Sequence, residues 1–97
     1  MKLFRWDEDK NEWLKINRDV CFEQIVVLIE QSDLLDVIDN PNQGKYPGKK
    51  VAIARINDYA YLVPYEQNGE EIVLKTIIPS RKATRKYLGG SNEKDDS

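Results

Sequence analysis

Hydrophobic positions keep a helical spacing near the start of the chain. A first helix is predicted at about 8–17, where the apolar stripe consists of Trp13, Leu14 and Ile16. A second helix is predicted at about 22–32, because its apolar residues follow the i, i+3, i+4, i+7 pattern: Phe22, Ile25, Val26, Leu28 and Ile29. Such stripes indicate two amphipathic helices that each bury one side.

Polar residues before each helix predict where the helices begin. Asp7 is placed to cap the first helix, since a carboxylate accepts from the free N–H groups of the first turn. The second helix begins after either Asp19 or Cys21, and Asp19 is the better cap because a thiol is a poor acceptor. A short basic helix at about 80–88 is predicted to start at the cap Ser80.

Beyond the second helix the pattern becomes that of strands. Together with a short alternating segment at 2–6, the β-rich segments at 51–56, 59–66 and 72–78 give the element order β-α-α-β-β-β-α, and 34–38 is a further candidate strand. Tight turns are predicted at Asn57–Asp58 and Asn68–Gly69. Pro64 implies a bulge or an edge, because proline has no N–H to donate.

The predicted fold is therefore a small single α+β domain at 1–88, with two helices packed on one face of an antiparallel sheet. Turn-forming residues predict a long loop at about 40–48. The polar, charged residues 89–97 are predicted to form a disordered tail.

Composition narrows the chemistry that this domain could perform. The 97 residues include no histidine and one cysteine, Cys21. This excludes Ser-His-Asp and Cys-His catalysis, an internal disulfide and a cysteine-cluster metal site. An enzyme with this sequence would have to move protons with carboxylates, lysine, arginine or tyrosine. We expect no metal and no cofactor.

Charge is divided unevenly along the chain. Residues 1–40 hold five Lys/Arg and ten Asp/Glu, a balance of −5, whereas residues 41–92 hold nine and four, a balance of +5. Such an asymmetry indicates an anionic partner, with nucleic acid first, although an ordinary solvated surface is the alternative. No apolar run approaches the roughly 20 residues of a membrane span, and the N-terminus lacks a signal peptide's apolar middle. We therefore expect a cytoplasmic protein without a membrane partner.

Three segments carry a resemblance to a known family. Residues 4–11 (FRWDEDKN) resemble the F-x-W-D-x-x-K-N start of BrnT-type toxins, which are small members of the RelE-like ribonuclease superfamily of bacterial toxin–antitoxin pairs. Residues 20–23 (VCFE) resemble the family's V-S-F-E-E segment, and residues 77–83 (IIPSRKA), followed by Tyr87, resemble its I-I-S-A-R-K-A ending. Arg18 stands where the family's K-H-G triplet has histidine, and the family's glutamate near the terminal tyrosine is absent.

The resemblance implies a RelE-like fold and the cleavage of messenger RNA without a metal, either on the ribosome or independently of it. It also implies neutralisation by a small antitoxin, of the ribbon-helix-helix kind. Such antitoxins cover a basic cleft with acidic residues, and complementary charge accelerates association.

Cutting RNA with its own 2′-hydroxyl needs a cation on the phosphate and groups that move two protons. Arg81 matches the family's arginine and Arg85 follows one helical turn later, so both are candidates for the phosphate. Glu23 and Tyr87 are the candidates for proton transfer. Further phosphate contacts are predicted from Lys50, Arg55, Lys75 and Lys82.

Each candidate also has a structural interpretation. The cations are also explained by a solvated surface, Glu23 by a role at its helix N-terminus, and Tyr87 by hydrophobic closure of the last helix. Two functions therefore remain open at this point. One is a metal-independent endoribonuclease toxin, and the other is a non-catalytic module with the same fold that binds RNA or an antitoxin.

Overall fold

The computed structural model describes residues 2–39 and 48–89. In chain order the elements are β1 (Leu3–Arg5), α1 (Glu8–Arg18), α2 (Phe22–Glu30), β2 (Asp36–Asp39), β3 (Lys49–Ile56), β4 (Tyr59–Asn68), β5 (Glu71–Leu74), β6 (Ile78–Pro79) and α3 (Arg81–Tyr87). None of the three helices in these ranges has the length and apolar character that crossing a membrane requires. The predicted loop and tail lie outside the described residues, apart from Gly48 and Gly89.

The predicted small α+β domain is confirmed, but its sheet is mixed rather than antiparallel. The strands lie in the order β1-β5-β4-β3-β2, and β1 runs parallel to β5 while the other neighbours are antiparallel. Parallel pairing arises because β1 reaches β5 only after the chain has passed through two helices and the β2–β4 meander, not through a hairpin. Among the described residues the chain has two more strands than the predicted element order. One is β2, at the candidate strand 34–38, and the other is the two-residue β6.

Both predicted turns are present. Asn57 and Asp58 each have positive φ, 54° and 63°, which is the backbone that a two-residue hairpin between twisted strands needs. Gly69 has φ of 64° between β4 and β5. Pro64 lies in the central strand β4, and its carbonyl accepts the last bond from the β5 side, from the Lys75 N–H at 2.9 Å. The position without an N–H donor therefore lies between the residues of β4 that pair with β5 and those that pair with β6.

The helix caps follow the predictions except at α2. The Asp7 carboxylate accepts from the Asp9 N–H at 2.8 Å, and the Ser80 hydroxyl accepts from the Ala83 N–H at 3.0 Å. The N-cap of α2 is Cys21, whereas Asp19 ends α1 in the left-handed conformation with φ of 58°. Asp19 is an unsuitable N-cap because the chain needs that position to turn out of α1.

Alternate residues of the sheet face two apolar clusters of unequal size. On the two-helix face, α1 and α2 join a large cluster that includes Leu14, Phe22, Ile25, Ala52, Ala54, Val63, Ile72, Leu74 and Ile77. On the opposite α3 face, α3 joins a small cluster of three buried residues, Ile53, Ala60 and Ala83. Neighbouring residues of β3 thus belong to different layers, as the strand period requires.

Candidate functional site

Helix α3 carries a dense exposed charge on its outer side and is bonded to the sheet by its inner side. Its inner side is Ala83, which is buried, and Thr84, whose hydroxyl accepts from the Ala60 N–H at 2.8 Å and donates to the Ser80 carbonyl at 2.8 Å. The outer side presents two i, i+4 pairs, Arg81 with Arg85 and Lys82 with Lys86, and all four are exposed. The helix contains no acidic residue. A polyanion can therefore meet four cations on one short, anchored element.

The predicted phosphate ligands on the strands are placed differently, because each one is paired with an acid. Lys50 Nζ lies 2.7 Å from Asp39 Oδ1, Arg55 Nη2 lies 2.6 Å from Asp58 Oδ1, and Lys75 Nζ lies 3.9 Å from Glu66 Oε1. The hydrogen bond to Asp39 raises the pKa of Lys50. A phosphate would have to displace these carboxylates.

Arg81 and Lys82 have no such partner within residues 2–39 and 48–89, where neither forms a hydrogen bond or an ion pair. Lys86 lies over the ring of Tyr87, with Nζ 5.3 Å from the ring centroid. The charges of Arg81 and Lys82 are consequently more available to a ligand than the charges of the strands, because no ion pair with a described residue must be broken.

Glu23 is not brought to α3. It belongs to the first turn of α2, on the two-helix face, and its Oε1 accepts from Asn11 Nδ2 at 2.9 Å. That hydrogen bond, with help from the residue's own backbone N–H, lowers the pKa of Glu23. Asn11 is fully buried and its Oδ1 also accepts the Phe22 N–H at 2.8 Å. The geometry gives Glu23 a role in joining α1 to α2, with the sheet between it and α3.

Tyr87 lies on α3 as predicted, and its hydroxyl is already engaged. It donates to Asp36 Oδ2 at 2.7 Å, which connects the end of α3 to the edge strand β2. This bond raises the pKa of Tyr87 and is the main cause that lowers the pKa of Asp36. The phenol is therefore held neutral with its proton directed at a carboxylate. Asp36 was not among the predicted residues, because an exposed acid in a short strand gives no signal in sequence.

A mainly apolar groove runs between α3 and the sheet. It has a volume of about 200 Å³, and we call it the α3 groove; it is lined by Ile38, Ile53, Leu62, Ser80, Lys82, Ala83, Lys86 and Tyr87. Its floor comes from β2, β3 and β4, and its rim carries two lysines. The groove was not predicted, since it is lined by strand residues and α3 residues that are separated by up to 49 positions in sequence.

Arg18, the residue in the place of the family's histidine, has a structural environment. Its Nη1 donates to the Ile77 carbonyl at 2.6 Å, and its guanidinium carbon lies 4.9 Å from the centroid of the Trp13 ring. Ile77 leads directly into β6 and then α3. Arg18 therefore fixes α1 to the segment that carries α3 into place.

The arrangement is a cationic surface with a tyrosine and an apolar groove beside it. Within residues 2–39 and 48–89 no three acidic or cysteine side chains come together as a metal site would require. The chemistry available on α3 is thus cationic stabilisation by arginine and lysine, with one phenol. No family model, curated protein or solved structure matches this chain, so the assignment of a function depends on this geometry.

Proposed function

We propose that this protein is the toxin of a type II toxin–antitoxin pair, a RelE-like and BrnT-like endoribonuclease that cleaves messenger RNA without a metal. The observation that carries the proposal is the exposed, acid-free helix α3, on which Arg81 has no internal partner among the described residues. Arginine binds two phosphate oxygens at once and stays cationic. The resemblance of residues 77–83 to the family's basic ending supports the same element.

In this reaction the 2′-oxygen attacks the adjacent phosphorus, the bond to the 5′-oxygen breaks, and one proton moves from the nucleophile to the leaving group. Arg81 and Arg85 would bind the non-bridging oxygens, whose charge grows in the transition state. Tyr87 is the titratable group on the same element. To donate its proton to the 5′-oxygen, it must exchange its hydrogen bond with Asp36 for one with the substrate, and the proton that the 2′-hydroxyl releases to solvent water then restores the phenol.

A specific observation favours the second candidate, a non-catalytic module that binds RNA or an antitoxin with the same surface. Glu23 is bound to Asn11 on the opposite layer, and the Tyr87 proton is directed at Asp36. Neither proton-transfer group is therefore poised at the cations. Binding needs only the charge of α3, whereas cleavage also needs Tyr87 to be released.

The proposed partners follow from the same surface. Messenger RNA and an acidic antitoxin would compete for α3, because both present negative charge to the same four cations. We propose a ribbon-helix-helix antitoxin and a cytoplasmic location, where messenger RNA is translated.

The test is induced expression of wild type, Arg81→Ala and Lys15→Ala at matched protein level. Lys15→Ala is the control because it removes an exposed lysine from α1, on the two-helix face. We expect growth arrest and shortened transcripts with wild type and Lys15→Ala but not with Arg81→Ala, whose Tm stays within about 2 °C of wild type because Arg81 is exposed.

Purified protein then separates the two candidates. Cleavage of RNA in EDTA that leaves 2′,3′-cyclic phosphate and 5′-hydroxyl ends supports the ribonuclease. RNA binding that depends on Arg81, without cleavage or arrest by soluble wild type, supports the non-catalytic module.

A further inference from the structure

We propose that the α3 groove holds one unstacked nucleobase of a single-stranded RNA, while Lys82 and Lys86 contact the phosphates on either side of it. The inference rests on the proposed function, because it requires that RNA is the anion that α3 binds. It goes further by naming the form of RNA, a single strand with a base turned toward the protein, and the place where that base lies.

The size of the groove favours a base over a longer ligand. Its volume of about 200 Å³ lies below the range of about 300–1,000 Å³ that is typical of sites for larger organic ligands. One flat ring system suits such a space, whereas an amphipathic helix of a protein partner would need a longer channel. The aliphatic floor formed by Ile38, Ile53 and Leu62 can cover one face of a ring, as apolar side chains do in sites that hold extruded bases.

The polar groups of the groove lie where a nucleotide would need them. Lys82 and Lys86 line its rim one helical turn apart and supply charge complementary to a phosphate backbone. At one end, the Ser80 oxygen accepts from the Ala83 N–H, and its own hydrogen has no acceptor within the described residues. That hydroxyl can donate to a carbonyl or ring nitrogen on the base edge.

The neighbouring cations indicate the path of the RNA backbone over the protein. Lys82 and Lys86 lie on the groove side of α3, and Arg81 and Arg85 precede them by one residue each, about 100° around the helix. A strand with its base in the groove therefore carries its backbone across α3 toward the arginines. Double-stranded RNA cannot make this contact, since its bases are stacked and paired.

The test compares two neighbouring residues on opposite faces of β2. Ile38 lines the α3 groove and is 44% exposed, whereas Val37 faces the two-helix side and is 43% exposed. The variants Ile38→Ser and Val37→Ser thus remove similar exposed apolar surface, and only the first alters the groove. Fluorescence anisotropy would measure Kd for a 2′-O-methyl single strand, which cannot be cleaved, and for an abasic phosphodiester strand of the same length.

We expect Ile38→Ser to weaken binding of the base-containing strand about tenfold and to leave the abasic strand unchanged, with Val37→Ser like wild type on both. Equal affinity of wild type and Ile38→Ser for the base-containing strand, with binding that still depends on Arg81, would overturn the groove proposal alone. Absence of RNA binding by folded wild type would overturn the RNA function and the groove together. Binding of an acidic peptide in place of RNA, weakened by Ile38→Ser, would make the groove a protein-docking site instead.

Discussion

The two faces of the sheet differ in what they bury and in what they leave exposed. The two-helix face closes over a large cluster that draws on α1, α2 and four strands, and it also buries Asn11 with both ends of its amide bonded. The α3 face has three buried residues, a groove and a helix of four exposed cations. The first face therefore contributes most of the buried apolar area that stabilises the domain. The second face buries fewer residues and leaves a surface that a ligand can reach.

Phe22→Ala should have the largest effect on stability. Phe22 is fully buried in the large cluster and stacks on Trp6 with ring centroids 5.7 Å apart, so the change leaves a cavity and costs about 3–5 kcal/mol in the free energy of unfolding. Leu62→Ala, on the partly buried α3 face, should cost only about 1–2 kcal/mol. Urea denaturation of both variants measures the difference, and equal losses would show that the two faces contribute equally.

Asn11→Ala should have the next largest effect, because it leaves the Phe22 N–H buried without an acceptor. We expect a loss of about 1–3 kcal/mol, whereas the control Asn17→Ala, which removes an exposed amide bonded to the Trp13 carbonyl, should cost less than about 0.5 kcal/mol.

The pH dependence of the free energy of unfolding should change as well in Asn11→Ala. Since the pKa of Glu23 is lowered in the fold, its contribution is present above its ordinary value of 4.5 and is lost as pH falls.

Asn11→Ala removes the main cause of that lowered pKa, so stability should fall less steeply with acid than in wild type. Urea denaturation across pH 3–6 would measure the slope. If Asn11→Ala loses stability but keeps the wild-type slope, the hydrogen bond from Asn11 is not the cause of the lowered pKa of Glu23.

Tyr87→Phe should have the smallest effect on stability, because the bond from Tyr87 to Asp36 lies at the surface of the α3 face. In wild type the bond is fully present between the ordinary pKa values of 3.8 for Asp36 and 10.0 for Tyr87. It is lost as pH falls through the lowered pKa of Asp36 or rises through the raised pKa of Tyr87. In Tyr87→Phe the pKa of Asp36 should rise toward its ordinary value.

A carbon-detected NMR titration of the Asp36 carboxyl measures this rise. Tyr59→Phe is the matched control, because the Tyr59 hydroxyl makes no hydrogen bond within the described residues. If the pKa of Asp36 is the same in wild type and Tyr87→Phe, the bond does not connect α3 to β2 in solution.

The sequence predicted those features that depend on near neighbours. The caps at Asp7 and Ser80 and the turn at Asn57–Asp58 each depend on interactions within four residues, so local patterns were sufficient. The parallel pairing of Leu3 with Glu71 was not predictable, because the sequence of a three-residue strand does not indicate which distant strand it will pair with.

The candidate site divided along the same line. Arg81, Lys82 and Arg85 are close together in sequence, so the prediction of one helix was enough to place them on the same element. Whether a lysine on a strand is free or paired depends on residues across the sheet, as with Lys75 and Glu66, and the separation of Glu23 from α3 depends on which layer each helix joins. Such facts are set by tertiary structure and have no local signature.

The proline in β4 has a consequence for how the domain opens. Because Pro64 interrupts the ladder on this side of β4, the residues of β4 that pair with β5 are separated from Tyr61 and Leu62, which pair with β6. The segment from β6 to α3 is attached through the two-residue β6 pairing, the bonds at Ala60, and two side-chain bonds, from Arg18 to the Ile77 carbonyl just before β6 and from Tyr87 to Asp36. We expect its amides to exchange with solvent before those of β3 and β4, because only two residues of the segment pair with a strand. The surface that carries the charge is thus expected to open locally at a lower free energy than the centre of the sheet.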